Sequence, residues 1–192
     1  MNPASLTSKP TPTERPSGAD GAGAQHLTFM LRGEQFAIRI LSVKEIIEYG
    51  QVTAVPMMPS WMRGVINLRG AVLPVVDLAA RFSERAAEIT RRTCIVIVEV
   101  KLRGEARDVG MIVDAVNAVL DIPSSEIEPA PSMGAMVRSE FISGMGKIDG
   151  RFVIILNPER VLSESELASS TELGAVPTKP TTLASVRIGA TP

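Results

Sequence analysis

The chain has 192 residues, 45% of them hydrophobic, and a formal net charge of −1. That balance argues against a nucleic-acid partner, which normally asks for a basic face. No apolar run approaches the roughly 18 residues that cross a bilayer as a helix, and residues 1–25 contain no apolar stretch of the kind that directs secretion. The expected location is therefore the cytoplasm, with no direct insertion into a membrane.

Residues 1–25 are rich in Pro, Ser, Thr, Gly and Ala and carry almost no large apolar side chains, so they cannot offset their ordering entropy and are expected to form a flexible tail. HLTFMLR and EQFAIRI, joined at Gly33, read as paired strands. SVKEIIE reads as a short helix, with Ser42 and Glu45 as a capping box. GVINL and AVLPVV flank Arg69-Gly70, and DLAARF supplies a helical turn or two. TCIVIVEV and DVGMIVDAV are strands separated by the turn KLRGEAR. FISGMGK and RFVIIL flank Asp149-Gly150, a strong hairpin signal. NPERVLSESEL reads as a terminal helix with Pro158 at its first position, and residues 168–192 return to tail composition. The core is expected to span 26–167.

Two stretches of this core repeat. WMRGVINLRGAVLPVVDL, from Trp61, aligns without a gap on FISGMGKIDGRFVIILNP, from Phe141, at an offset of 80. Gly64 falls on Gly144, Gly70 on Gly150 and Asp77 on Asn157. Upstream, FAIRILSVKEIIE aligns on VGMIVDAVNAVLD at an offset of 73, so that Phe36, Val43 and Ile46 fall on Val109, Val116 and Val119. Two copies of about 65 residues imply an all-β fold of two small barrels, roughly 26–90 and 91–157, plus a terminal helix. Each is marginal alone, so the pair must pack together, with a groove between them.

Nothing assembles a catalytic centre. The single cysteine, Cys94, lies in an apolar run and reads as a core residue, and the single histidine, His26, lies at the edge of the tail. Asp77 and Asp114 follow apolar strands and read better as caps than as catalytic acids. Neither a phosphate loop nor a metal-ligand cluster is present, so no cofactor is expected. Met57, Met58, Met62, Met133 and Met136 lie in Pro-rich connections, a pattern that suits an adaptable protein interface as well as core filling. What remains is an interaction module.

The stretch GEQFAIRILSVKEIIEYGQVTAVPMMPSWMRGVINLRGAVLPVVDLAARF closely resembles the CheW-type chemotaxis coupling proteins, most specifically in GVINLRG followed by VLPVVDL, and DVGMIVDAV and FISGMGKIDGRFVIILN continue the likeness. The resemblance covers about residues 26–167. It implies two five-stranded SH3-like barrels and a non-catalytic role, joining the cytoplasmic tips of methyl-accepting chemoreceptors to a CheA-type histidine kinase in membrane-associated arrays. Carried over, receptor contacts would be Ile40, Val43, Glu45, Ile46 and Arg69, with Val98 and Val100. Kinase contacts would be Val52, Thr53, Arg63 and Gly64, with Ile127, Glu128 and Met133 on the second barrel. Glu128 and Ser132 depart from the family pattern, which has a basic and an acidic residue there. Val43 and Ile46 also suit packing against a barrel, and Gly64 suits a backbone requirement. A barrel protein for a small ligand or nucleic acid, sharing only the fold, is the alternative; a basic, aromatic groove would favour it.

Arg69 breaks a local rule. Tight hairpin turns favour Asn or Asp before Gly, as in Asp149-Gly150, because those residues tolerate positive φ. An arginine there carries a penalty of about 1–2 kcal/mol, which suggests that its side chain serves a partner.

Overall fold

The computed structural model describes residues 23–102, 104–130, 137–148 and 150–162. Both tails, Met133, Asp149 and the end of the expected terminal helix lie outside the described residues. In chain order the strands are β1 (Ala24–Leu31), β2 (Glu34–Arg39), β3 (Val43–Glu48), β4 (Met62–Leu68), β5 (Ala71–Asp77), β6 (Cys94–Leu102), β7 (Glu105–Val113), β8 (Ala115–Ile122), β9 (Ile127–Glu128), β10 (Ile142–Ile148) and β11 (Arg151–Leu156). Helix α1 (Leu78–Ser83) follows β5 and α2 (Pro158–Val161) follows β11. The fold is all-β, in two SH3-like barrels. One sheet has the order β3-β6-β7-β5-β4, and the other β8-β1-β2-β11-β10-β9, the two-residue β9 adding a sixth strand.

The barrels do not divide the chain at residue 90. β1 and β2, from the first half, pair with β8 and β11 of the second; β6 and β7 pair with β3 and β5 of the first. The repeat is real, but its unit is a hairpin followed by a strand that crosses to the other barrel. The 3-10 turn Ile40–Ser42 carries the chain from β2 to β3, and Asp114 carries it from β7 to β8. The parallel pairs Val75↔Gly110 and Ile155↔Ala37 are repeat-equivalents of one another. One continuous core holds Leu27, Phe29 and Ile38 from β1 and β2 together with Val96, Val98 and Met111 from β6 and β7.

SVKEIIE is a strand, not a helix. Its burial alternates along Val43–Glu48, and it pairs with β6 from Val43↔Val98 to Glu48↔Cys94. Three β-branched residues in six favour a pleated edge, and Ser42 closes the preceding 3-10 turn without a side-chain cap. The two true helices start where caps permit. Asp77 Oδ1 accepts from the Ala80 N–H at 3.0 Å, and Asn157 Oδ1 accepts from Glu159 N–H at 3.0 Å, with Pro158 following. Asp77 Oδ2 also accepts from the Ala87 N–H at 2.8 Å, which fixes the loop after α1 and satisfies a buried carboxylate.

His26 is buried on β1, its Nδ1–H donating to the Ala24 carbonyl oxygen at 2.6 Å. Burial pushes its pKa below the usual 6.5; the Ala24 bond opposes this and Arg39 across the strand pair adds to it. The unfolded chain therefore takes up the proton more readily. Stability should be complete above about pH 6.5 and fall as the pH drops below it. Urea midpoints measured at about pH 7.5 and about pH 5.5 should diverge more for the wild type than for His26→Gln; equal divergence would exclude His26 as the source. The exchange of strands has its own consequence. Fragments 23–90 and 91–162, made separately, should each lack a cooperative thermal transition by circular dichroism, because neither contains a complete sheet.

Candidate functional site

The five-stranded sheet begins with β3 and ends with β4, and polar side chains join these two edges. Arg69, at the tip of the β4–β5 hairpin, donates through Nη2 to Glu45 Oε1 on β3 at 2.7 Å. Further along, Arg63 Nε donates to the Tyr49 hydroxyl at 3.3 Å. Thr53 bridges Val65 by a reciprocal pair of 2.9 Å backbone bonds. Gly64 makes that bridge possible. At φ +144 it lies so close that a Cβ would sit 2.1 Å from the Thr53 carbonyl oxygen. Gly144 is its equivalent, and a Cβ there would sit 2.7 Å from Ile127 Cγ2.

Among the expected receptor residues, Glu45 and Arg69 are brought into contact, with Ile40 and Val43 half-buried beside them and packed against the core. Ile46 is exposed, but it neighbours Glu45 on a strand and so projects from the opposite face. Val98 and Val100 are 0% and 1% exposed, so they are core residues and present nothing to a partner; the outward residues of β6 there are Glu99 and Lys101. Of the expected kinase residues, Thr53 is exposed, Val52 and Arg63 are half-buried, and Gly64 is buried and acts through the Thr53 backbone. Ile127 and Glu128 form β9, paired with Met145 and Gly146; Met133 and Ser132 lie outside the described residues.

The repeat groups Ile46 with three residues to which the sequence reading gave no role, Val119, Val72 and Phe152. Ile46 and Val119 are equivalent at offset 73 and are 41% and 46% exposed; Val72 and Phe152 are equivalent at offset 80 and are 69% and 55% exposed. Each barrel thus keeps large apolar side chains in water at the same two positions, although folding does not require them there. The alignment held this signal, since it already placed Ile46 on Val119.

Between the barrels lies a cleft of about 520 Å³, with Trp61, Arg81, Arg138 and Phe141 in its lining. It has the basic and aromatic character that would favour a ligand- or nucleic-acid-binding barrel. An arginine already lies over each ring. The Arg81 guanidinium lies 4.5 Å from the Trp61 ring centroid and 5.2 Å from that of Phe141, and Arg138 lies 5.3 Å from the latter. Where those guanidinium groups lie, a base would have to displace an arginine before it could stack. Among the described residues no group of three His, Cys, Asp or Glu could hold a metal ion.

Comparison with known proteins agrees with this geometry. The family described as "CheW-like domain" matches residues 25–166. The chain is 34% identical over 146 residues to "Chemotaxis protein CheW" of Klebsiella aerogenes, covering 76% of this chain and 86% of that protein. It is 37% identical over 140 residues to "Probable chemotaxis protein CheW" of Rhizobium etli, covering 73% and 88%. Among solved structures, the scaffolding protein TtCheW of Thermoanaerobacter tengcongensis superposes with a TM-score of 0.68 at 29% identity, covering 78% of this chain and 94% of that one.

Gly64→Ala should cost about 2–4 kcal/mol, because it combines a disfavoured φ with a backbone clash. Arg69→Asn should stay within about 0.5 kcal/mol of the wild type, since an exposed ion pair is lost while the turn relaxes. Chemical denaturation of both variants checks the contrast.

Proposed function

The chain belongs to the CheW-like domain family, and on that premise we propose that it is a non-catalytic adaptor joining chemoreceptor cytoplasmic tips to a CheA-type histidine kinase. One observation carries the proposal: the repeat-equivalent exposed pairs Ile46/Val119 and Val72/Phe152. Exposed apolar side chains at matching positions on both barrels suit a protein held from two sides. They also suit partners that are themselves barrels of this kind.

The receptor tip would meet the Arg69–Glu45 edge with Ile40 and Val43. The kinase would meet Val52, Thr53 and Arg63 on one barrel and Ile127 and Glu128 on the other. Arg69 suits this role chemically, because a guanidinium engaged by one carboxylate retains donors for a second acceptor. No helix among the described residues is long and apolar enough to cross a membrane, so association with receptor arrays would run through the partners. The ligand-binding alternative is weakened at the cleft, where the protein's own arginines already lie over the Trp61 and Phe141 rings.

Arg69→Glu should weaken binding to a receptor-tip fragment by roughly 2–5 kcal/mol if the contact is desolvated, and leave kinase binding nearly intact. Arg63→Glu should do the reverse, by about 0.2–1 kcal/mol at a rim and more if buried. Titration calorimetry against each partner separates the two, and equal losses of both affinities in either variant would misplace that residue. The exchange Glu45→Arg with Arg69→Glu restores the internal pair, so receptor binding that returns with it would make Arg69 a clasp for β3 rather than a contact.

A further inference from the structure

We propose that Tyr49 is a positioning residue for the kinase contact: its hydroxyl holds Arg63 by one donor and leaves the two Nη groups as a preformed fork for a carboxylate of the kinase. The inference rests on the kinase placement of Arg63 proposed above. Arg63 Nε donates to the Tyr49 hydroxyl at 3.3 Å. A guanidinium carries five donors in one plane, and Nε–H is only one of them. Among the described residues the Nη groups of Arg63 make no hydrogen bond or ion pair. Two parallel Nη donors match the two oxygens of a carboxylate.

Both ends of this pair are set by the backbone. Met62 pairs with Val76 and Gly64 with Val75, so Arg63 is the extra residue of the β4 bulge. Bulges re-aim the side chain they carry. Tyr49 directly follows β3; its N–H donates to the Thr93 carbonyl oxygen at 3.1 Å, and its half-buried ring packs against the core. A hydroxyl held in this way removes rotamer freedom from the long Arg63 side chain before a partner arrives, which lowers the cost of binding.

The second copy keeps the bulge without the pair. Arg63 falls on Ser143, the extra residue between Ile142 and Gly144. Tyr49, one residue past the aligned stretch, falls on the buried Ile122. The bulge therefore requires neither a guanidinium nor a hydroxyl, and the fold alone does not account for them. Thr53, also on the proposed kinase surface, is bridged to Val65, two residues beyond Arg63 on the same strand.

The experiment is calorimetric titration of the full chain against the CheA-type kinase and, separately, against a receptor-tip fragment. Tyr49→Phe keeps the ring and removes the acceptor. Kinase affinity should fall about 3- to 10-fold, while receptor affinity and the urea midpoint stay at their wild-type values. The effect must pass through Arg63. In an Arg63→Met background, which keeps an apolar stem, adding Tyr49→Phe should lower kinase affinity no further. An equal loss in both backgrounds overturns the proposal, because Tyr49 then acts without Arg63. So does a Tyr49→Phe variant that binds kinase like the wild type while Arg63→Met binds it weakly. Wild-type kinase affinity in Arg63→Met overturns the placement of Arg63 itself, and the proposal with it. The carboxylate is read from salt. Raising NaCl from about 0.1 M to about 1 M shortens the screening length from about 10 Å to about 3 Å, and should weaken kinase binding more for the wild type than for Arg63→Met. Equal salt dependence overturns the fork.

Discussion

Each barrel of this protein is completed by strands from the other half of the sequence. The hairpin β1–β2 sits in the sheet of β10 and β11, and the hairpin β6–β7 sits in the sheet of β3, β4 and β5. Short crossovers at Ile40–Ser42 and Asp114 make the exchange. A barrel of this size buries only a modest fraction of its surface and would be marginal alone. Interweaving removes the choice, since opening one sheet withdraws strands that the other half of the chain needs. The core follows suit: Phe29 and Val98, from different sheets, belong to one buried cluster. For an adaptor, the consequence is geometric. Surfaces on two barrels are held in one rigid relation, with no linker between them to flex.

Within that frame both copies solve the same edge problem with the same device. A bulge between Met62 and Gly64 recurs between Ile142 and Gly144. The Trp61 carbonyl accepts from the Asp77 N–H at 2.8 Å, and the Phe141 carbonyl accepts from the Asn157 N–H at 2.8 Å. In each copy the missing Cβ of a glycine lets a short extended segment, at Thr53 or at Ile127–Glu128, lie against the edge strand and cover its free backbone groups. Gly64 therefore bears on the proposed kinase surface without touching it. It sets the position of Thr53, and through Thr53 the shape of that edge.

Much of this was legible before any coordinates. Hairpins announced themselves through Gly33, Gly70 and Gly150, the helix starts through Asp77 and Asn157-Pro158, and the duplication through paired glycines. What failed has a physical cause in each case. Ser42 and Glu45 have capping-box spacing, but six residues rich in Val and Ile are too short a window to separate a helix from an edge strand, and pairing with β6 decided for the strand. Val98 and Val100 share a face that turns to the core, and alternation alone cannot say which face is which. The split at residue 90 assumed that a sequence repeat is a spatial unit. Nothing in a linear alignment records which sheet a strand joins.

The turn at Arg69 has the geometry expected of it, but its strain is not what marks the residue. Arg69 has φ 52 and is followed by Gly70 at φ 89, the double positive φ of a tight hairpin. Arg32 has φ 52 and is followed by Gly33 at φ 83, at the tip of β1–β2, where no partner contact was assigned. A turn that violates its own residue preference is thus no sign of function in this chain, because the violation occurs twice. The difference lies in what stabilises each tip. At Arg32 the backbone N–H donates to Asp114 Oδ2 at 2.6 Å, which ties that hairpin to the crossover between β7 and β8. At Arg69 the guanidinium itself is engaged by Glu45, and Gly70 N–H donates to Asn67 Oδ1 at 2.9 Å. The first arrangement uses only the main-chain N–H of its arginine, which any residue but proline could supply. The second uses the side chain, and it places that side chain at the exposed meeting of β3 and the β4–β5 tip. Arg69 is singled out by the carboxylate it meets and the edge it joins, not by the strain it carries.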